Sequence, residues 1–153
     1  MPDMLVNLEK LPGCDTGKLE KEGIRIIRAM TPNMFQVLDF VKQTMGERAM
    51  GEAAVCFSHQ PVSLFIAVKD DKIIGFACYN ATLKDYFGPT EVLEEYRGQG
   101  IGKALLLKCL ESLKADGYAY AIIGGVGPVD FYYKCCGATV IPDTDPGIYK
   151  DML

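Results

Sequence analysis

The chain has 153 residues, 49% of them hydrophobic and 24% charged, so it is long enough for one buried core and too apolar to stay disordered. Sixteen basic against twenty acidic side chains give a net charge of −4, which argues against a broad surface for nucleic acid or anionic lipid. One histidine, and six cysteines without the paired spacing of zinc ligands, argue against a metal site. We therefore expect a single domain, residues 1–153, with residues 1–22 as an N-terminal extension packed on it.

We expect no targeting signal in these residues. The first residues lack the cationic start and continuous apolar stretch of a signal peptide, and no run approaches the ~18 apolar residues of a membrane span. The cysteines lie mostly in apolar, periodic segments, which is typical of reduced core thiols. These features predict a soluble, cytoplasmic protein.

The first quarter of the chain predicts two strands and a helix. Residues 4–8 can form a short strand, and residues 24–30 alternate well enough for another. Thr31 and Pro32 then supply an N-cap and a first helical residue. The helix that follows keeps its apolar residues at helical spacing, and we expect it to stop at Gly46.

The middle of the chain predicts a weaker helix over residues 47–57 and then three strands. Residues 63–68 and 73–79 are β-type runs separated by four polar residues, which predicts a hairpin. A further run covers residues 87–93 and contains Pro89, which has no N–H for a strand ladder. This strand should therefore start late, bulge, or have an open side.

Residues 102–116 form the most strongly predicted helix, with one wide apolar face and Gly117 as its stop. Residues 129–136 predict a short helix ended by Gly137. The remaining β-type segments are residues 118–123, 139–141 and 148–153.

A glycine-rich turn, Arg-Gly-Gln-Gly-Ile-Gly-Lys at residues 97–103, lies between a predicted strand and the strongest predicted helix. Alternate glycines let the backbone curl tightly and leave no Cβ in the way of a ligand. The first amides of the helix have no intrahelical acceptor, and the helix dipole adds to their attraction for an anion. Arg97 and Lys103 add positive charge at both ends. The turn therefore predicts a phosphate or pyrophosphate site.

Two common nucleotide motifs do not fit this turn. A P-loop needs a glycine five residues before Gly102, where Arg97 stands, and a Ser or Thr after Lys103, where Ala104 stands. A dinucleotide fold needs G-x-G-x-x-G in a parallel unit, whereas the spacing here is G-x-G-x-G. On these residues alone, an ordinary turn without a ligand also stays open.

A family resemblance extends beyond this turn. Arg97-x-x-Gly100-x-Gly102 resembles the Q/R-x-x-G-x-G/A motif of the GCN5-related N-acetyltransferases (GNAT), which bind acetyl-CoA. Residues 92–96 resemble the end of that family's fourth strand. Residues 131–138 resemble its helix ending in F-Y-x-x-x-G-F, although Ala138 replaces the usual aromatic residue.

The resemblance implies an α/β (α+β) fold over roughly residues 24–150. We expect a central mixed, mostly antiparallel sheet of six to seven strands, flanked by about four helices. Strands 4 and 5, counted from residue 24, should splay apart and admit the pantetheine arm of acetyl-CoA.

By the same resemblance acetyl-CoA is the co-substrate, with no metal. Main-chain groups of Val92 and Leu93 should pair with pantetheine, and the glycine turn should hold the pyrophosphate. The cofactor-binding residues are then Val92, Leu93, Arg97, Gly98, Gln99, Gly100, Ile101, Gly102 and Lys103.

Tyr133, four residues before Gly137, resembles the family's catalytic tyrosine and is the expected proton donor to the departing CoA thiolate. Packing of its ring in the core is the alternative. Tyr132, one residue earlier, points elsewhere on a helix, so we expect it to fill core or line the pocket.

Glu91 is the first choice for the general base, because it lies on the strand that borders the acceptor site. Asp85 and Tyr86 lie near the same strand, and an ordered water could replace any single carboxylate. These alternatives stay open.

The resulting hypothesis is an N-acetyltransferase in which a primary amine attacks acetyl-CoA directly. Its expected partner is a small-molecule or peptide amine, with no nucleic acid and no membrane, and a homodimer is left open. The acceptor could be a polyamine, an aminoglycoside, an amino acid, or a protein α-amine or lysine. The alternatives are a non-catalytic CoA or acyl-CoA sensing module and a nucleotide-type phosphate binder.

Overall fold

The computed structural model describes all 153 residues. Its strands are β1 Met4–Asn7, β2 Ile24–Arg28, β3 Leu64–Lys69, β4 Lys72–Tyr79, β5 Tyr86–Val92, β6 Tyr120–Ile123 and β7 Thr139–Val140. Its α-helices are α1 Gly17–Lys21, α2 Met34–Met45, α3 Glu47–Cys56, α4 Ile101–Ala115 and α5 Val129–Cys136. Short 3-10 turns cover Leu8–Lys10, Thr31–Asn33, Glu94–Tyr96 and Gly147–Asp151.

All seven strands form one sheet in the order β2-β3-β4-β5-β6-β1-β7. Every neighbouring pair is antiparallel except β5 and β6, which are parallel. This confirms the predicted mixed, mostly antiparallel sheet. The N-terminal extension does more than pack on the domain, because β1 lies inside the sheet between β6 and β7. It also carries α1, which brings the helices to five rather than about four.

Two local predictions are wrong. Thr31 does not cap a helix: it begins a 3-10 turn that leads into α2, and Met30 holds the cap position without a side-chain bond. Residues 148–153 do not form a strand, because Pro146 has no N–H for a ladder and Gly147 turns the chain with a φ of 57°. The 3-10 turn Gly147–Asp151, called the C-terminal turn below, replaces that strand.

The sheet opens between β5 and β6. These strands pair only at Tyr86 with Ile122 and at Phe87 with Ile123. Beyond Phe87, β5 pairs with β4 alone, and their register is irregular opposite residues 88–89. Pro89 lies in that irregular segment, as expected for a residue that cannot donate to a ladder. The open side predicted from Pro89 is confirmed.

Helices cover both faces of the sheet and hold this opening in place. The apolar face of α4, with Leu105, Leu110 and Leu113 fully buried, packs in one core that also contains β1 and part of α5. Helices α2 and α3 form a second core that includes Val37 and Phe76. Each fully buried side chain of this size contributes about 1.5–3 kcal/mol of burial free energy. The walls of the opening therefore belong to well-packed elements.

Candidate active site

A cavity of about 1010 Å³ occupies the opening between β5 and β6. The unpaired side of β5 and the N-terminal end of α4 form one part of its wall. The turn after β6, the first residues of α5, the C-terminal turn and single residues of other segments complete it. The cavity thus combines segments from both halves of the chain around the parted strands.

The glycine turn, residues 97–103, presents main-chain donors to this cavity. None of the amides of residues 98–103 donates a hydrogen bond to another group of the protein. Gly98 and Gly100 have φ values of 82° and 89°, a left-handed conformation that favours glycine. Gly100 is the N-cap of α4, and no side chain caps the helix. These free donors at a helix N-terminus fit a phosphate group.

Arg97 links the glycine turn to the end of β5. Its Nε donates to the carbonyl oxygen of Val92 at 3.1 Å, and its Nη2 donates to Glu91 Oε1 at 2.8 Å. The amide of Val92 donates to the same Glu91 oxygen at 3.2 Å. Both main-chain groups of Val92 are therefore held by movable side chains rather than by a strand.

The expected cofactor-binding residues mostly line the cavity. Those that do are Val92, Arg97, Gly98, Gly100, Ile101, Gly102 and Lys103. Leu93 and Gln99 do not. The amide of Leu93 donates to Ile74 inside the sheet at 2.9 Å, so it is not free for a ligand.

Tyr132, not Tyr133, faces the cavity. Tyr132 is only 7% exposed and lines the cavity wall, whereas Tyr133 is 62% exposed and lies outside it. The ring of Tyr132 packs edge-on against Phe87, at the point where β5 and β6 part, with centroids 6.2 Å apart. The expected proton donor Tyr133 thus lies away from the cavity, and its exposure excludes the alternative that its ring packs in the core, whereas Tyr132 lines the pocket as expected. Tyr132, Cys135 and Cys136 are the buried residues of α5. Their spacing of three and four residues places them on one face of the helix, and this spacing can be seen in the sequence.

Burial controls the protonation of Tyr132. Its desolvated position, and then the neighbouring thiols and Glu91, raise its pKa to about 12. The phenol therefore stays protonated at neutral pH, close to where β5 and β6 part. A buried, protonated phenol at this place can donate a proton to a departing group.

Of the three candidate bases, only Glu91 lines the cavity. Both of its protein hydrogen bonds, from Arg97 and from the Val92 amide, go to Oε1, so Oε2 has no partner. Asp85 and Tyr86 lie outside the lining residues. Burial raises the pKa of Asp85 to about 6 and also raises the pKa of Tyr86.

Sequence reasoning missed the wall opposite the glycine turn. Glu52 from α3, Thr82 from the loop after β4, and Tyr149 from the C-terminal turn all line the cavity there. Thr82 Oγ1 donates to Glu52 Oε2 at 2.6 Å. No local pattern connects these three residues, since about 100 positions separate the first from the last.

The structure contains no helix with both the length and the apolar content that crossing a bilayer requires. No three His, Cys, Asp or Glu side chains come together in a group that could hold a metal ion.

The fold is similar to that of solved acetyltransferase structures. The glucosamine N-acetyltransferase region of a fungal multi-domain β-N-acetylglucosaminidase has a TM-score of 0.73, with 17% identity over 92% of this chain and 19% of that one. A GCN5-related N-acetyltransferase from Sphaerobacter thermophilus has a TM-score of 0.66, with 19% identity over 92% and 48%. An aminoglycoside acetyltransferase from an uncultured soil metagenomic sample, solved with trehalose, has a TM-score of 0.56, with 15% identity over 74% and 88%.

At these identities the similarity shows the fold alone, and the chain spans less than half the length of the first two structures. The comparison with curated proteins gives no match. The model of the acetyltransferase (GNAT) family matches residues 29–138, well over half of the chain. The chain therefore belongs to the GNAT family of acetyltransferases.

Proposed function

We propose that this protein is an acetyl-CoA-dependent N-acetyltransferase that transfers the acetyl group directly to a primary amine. One observation carries the proposal: the main-chain amides of residues 98–103 have no acceptor in the protein, and all of these residues except Gln99 border the same cavity as the buried Tyr132. Phosphate-binding donors hold the co-substrate, and a proton donor serves the departing thiolate.

The glycine turn would hold the pyrophosphate of acetyl-CoA through its free amides, with Lys103 and Arg97 supplying positive charge. An incoming phosphate attracts the guanidinium of Arg97, which now covers Val92 and Glu91. Movement of Arg97 toward the phosphate would free the carbonyl of Val92 for the amides of the pantetheine arm. Binding of one part of the ligand thus prepares the edge of β5 for the other.

The bound acetyl thioester supplies the group that is transferred. In the transfer, a bond forms between the amine nitrogen and the carbonyl carbon while the C–S bond breaks. Tyr132 would give its phenolic proton to the departing sulfur, because it lines the cavity beside Phe87, at the point where β5 and β6 part. Glu91 Oε2, which has no partner in the protein, would accept the proton that the amine loses, directly or through a water.

The test combines binding and turnover. Calorimetry should show binding of acetyl-CoA and CoA but not of ATP, and a panel of amines should give amine-dependent release of thiol with an acetylated product by mass spectrometry. Lys103→Ala should weaken acetyl-CoA binding, whereas Lys114→Ala, an exposed position on the same helix, should not.

The alternatives predict different results. Binding of acetyl-CoA without thiol release on any amine would favour a CoA-sensing module. No binding of acetyl-CoA would overturn the proposal, and binding of ATP instead would favour a nucleotide site.

A further inference from the structure

The charges that line the cavity are separated along β5. The lysine and arginine side chains among its lining residues, Arg97 and Lys103, both belong to the glycine turn, just after the end of β5. Glu52 and its partner Thr82 lie at the other end, where β5 begins. A strand of seven residues spans about 20 Å, so these two ends are well apart. The glycine turn brings cationic side chains together with main-chain amides that have no acceptor, so this end suits the phosphates of a ligand.

Three carboxylates line the cavity, and two of them are paired with a cation. Glu91 pairs with Arg97 at 2.8 Å, and Asp145 pairs with the N-terminal ammonium of Met1 at 2.6 Å. Glu52 has no cationic partner anywhere in the protein. It is the one cavity carboxylate with an uncompensated negative charge.

The surroundings of Glu52 hold its carboxylate in place without neutralising it. The side chain is half-buried, and its Oε2 accepts a hydrogen bond from the neutral hydroxyl of Thr82 at 2.6 Å. Its Oε1 has no hydrogen-bond partner in the protein. A partly buried carboxylate in this state gains from a cationic ligand, because an ammonium supplies both the missing charge and a donor.

A second acidic residue, Asp3, lies near this end of the cavity but outside its lining. Tyr149 lines the same wall, and burial, followed by the charges of Asp3 and Glu52, raises its pKa. Asp3 is only 3% exposed and is fixed by a hydrogen bond from the amide of Gly125 at 2.8 Å. An acceptor that carries a carboxylate or phosphate would meet like charges here.

We propose that the acceptor is a cationic molecule with at least two amino groups, and that Glu52 binds the ammonium that is not acetylated. The inference rests on the proposed acetyl transfer and names its substrate class. The reacting amine must lose its charge to attack the thioester, so only a second amino group keeps the charge that Glu52 can bind. Glu52 is then a specificity-determining residue at the end of the cavity opposite the glycine turn.

The test compares acceptors that differ only at their far end. For chain lengths of three to six carbons, a linear diamine is compared with the monoamine and with the ω-amino acid of equal length. We expect the best diamine to exceed its matched monoamine in kcat/KM by about tenfold or more, the usual effect of a charge-assisted hydrogen bond. The amino acid should be the poorest acceptor of the three.

Two variants on α3 assign this preference to one residue. Glu52→Gln keeps the shape and the bond to Thr82, and it should lower kcat/KM for the diamine about tenfold, mainly through KM, with little change for the monoamine. Glu47→Gln is the matched control, because its side chain is 80% exposed and lies outside the cavity. Unchanged acetyl-CoA affinity of Glu52→Gln, measured by calorimetry, verifies that this variant is folded.

Failure of the role proposed for Glu52 can be distinguished from failure of the proposed acetyl transfer. Equal turnover of diamine, monoamine and amino acid, or equal losses for all three in Glu52→Gln, would overturn the role of Glu52 and leave acetyl transfer standing. No thiol release from any amine, together with no calorimetric binding of the diamines to the CoA-bound protein, would overturn both proposals.

Discussion

The phenolic oxygen of Tyr149 occupies the space that a Cβ atom on Gly124 would need. Gly124 directly follows β6, and its amide donates to the carbonyl of Phe87 at 3.3 Å, whereas Tyr149 belongs to the C-terminal turn. The contact therefore fastens the C-terminal segment over the narrow end of the opening. A side chain at position 124 would push that segment away from the cavity.

This contact predicts the effect of Gly124→Ala. The added methyl collides with Tyr149, so we expect a loss of about 1–3 kcal/mol in the free energy of unfolding, measured with urea. Adding Tyr149→Phe removes the colliding oxygen, whereas Tyr86 Cδ2 stays 3.1 Å from the added methyl, so the double variant should recover part of the loss. Gly127→Ala, where the nearest atom is 3.8 Å away, is the control and should change little. Equal stability of Gly124→Ala and wild type would show that the two residues do not pack in this way.

Arg97→Ala tests the link between the glycine turn and β5. The pair with Glu91 is partly exposed to solvent, so its removal should change stability little. Acetyl-CoA affinity should fall about tenfold, because a charge-assisted phosphate contact is lost, and the difference from wild type should shrink as salt is added. Arg25→Ala, at the exposed position of β2, is the control. A similar loss in both variants would assign the effect to overall charge.

Glu91→Gln distinguishes a carboxylate base from an ordered water. If Glu91 Oε2 accepts the proton of the amine, kcat should fall by about 10²–10⁴ while acetyl-CoA affinity is kept. Glu94→Gln, an exposed neighbour outside the cavity, should behave as wild type. A kcat within a few-fold of wild type would assign the base role to water.

The partly buried carboxyl group of Asp85 should make the free energy of unfolding depend on pH. Its Oδ1 is buried without a hydrogen-bond partner, and burial raises its pKa to about 6. The folded protein therefore binds this proton more tightly than the unfolded chain does, and stability falls as the pH rises from about 4 to about 6. At pH 7 the free energy of unfolding of Asp85→Asn should exceed that of wild type by about 1 kcal/mol, a value reduced because the group is partly solvated. The difference should shrink toward pH 4. Asn tolerates the φ of 69° at this position. Urea unfolding at several pH values checks this, and an advantage that does not change with pH would contradict it.

Local patterns account for the parts of the fold that the sequence predicts well. The apolar face of α4, its stop near Gly117 and the two-residue hairpin turn at Asp70 and Asp71 depend on spacing within a few residues. The glycine turn is equally local. The irregular segment beside Pro89 follows from the missing N–H of a single residue, whereas the parting of β5 and β6 is what the family resemblance implied.

The remaining features depend on tertiary contacts or on helical phase. Tyr133 was predicted as the proton donor because it lies four residues before Gly137. Which tyrosine is buried depends instead on the face of α5 that packs against Phe87, and this face carries Tyr132. Glu52 and Tyr149 meet at one wall only because α3 and the C-terminal turn pack at the same end of the sheet. Two residues this far apart along the chain form no local sequence pattern, so a single sequence does not indicate that they meet.

The most direct test of the proposed mechanism compares Tyr132→Phe with Tyr133→Phe. Both variants keep an aromatic ring, so the comparison isolates the two hydroxyls. We predict that Tyr132→Phe lowers kcat by about 10²–10⁴ with acetyl-CoA affinity within a few-fold of wild type, whereas Tyr133→Phe keeps wild-type kcat. A loss of kcat in Tyr133→Phe, with full activity in Tyr132→Phe, would contradict the assignment of the buried phenol as proton donor.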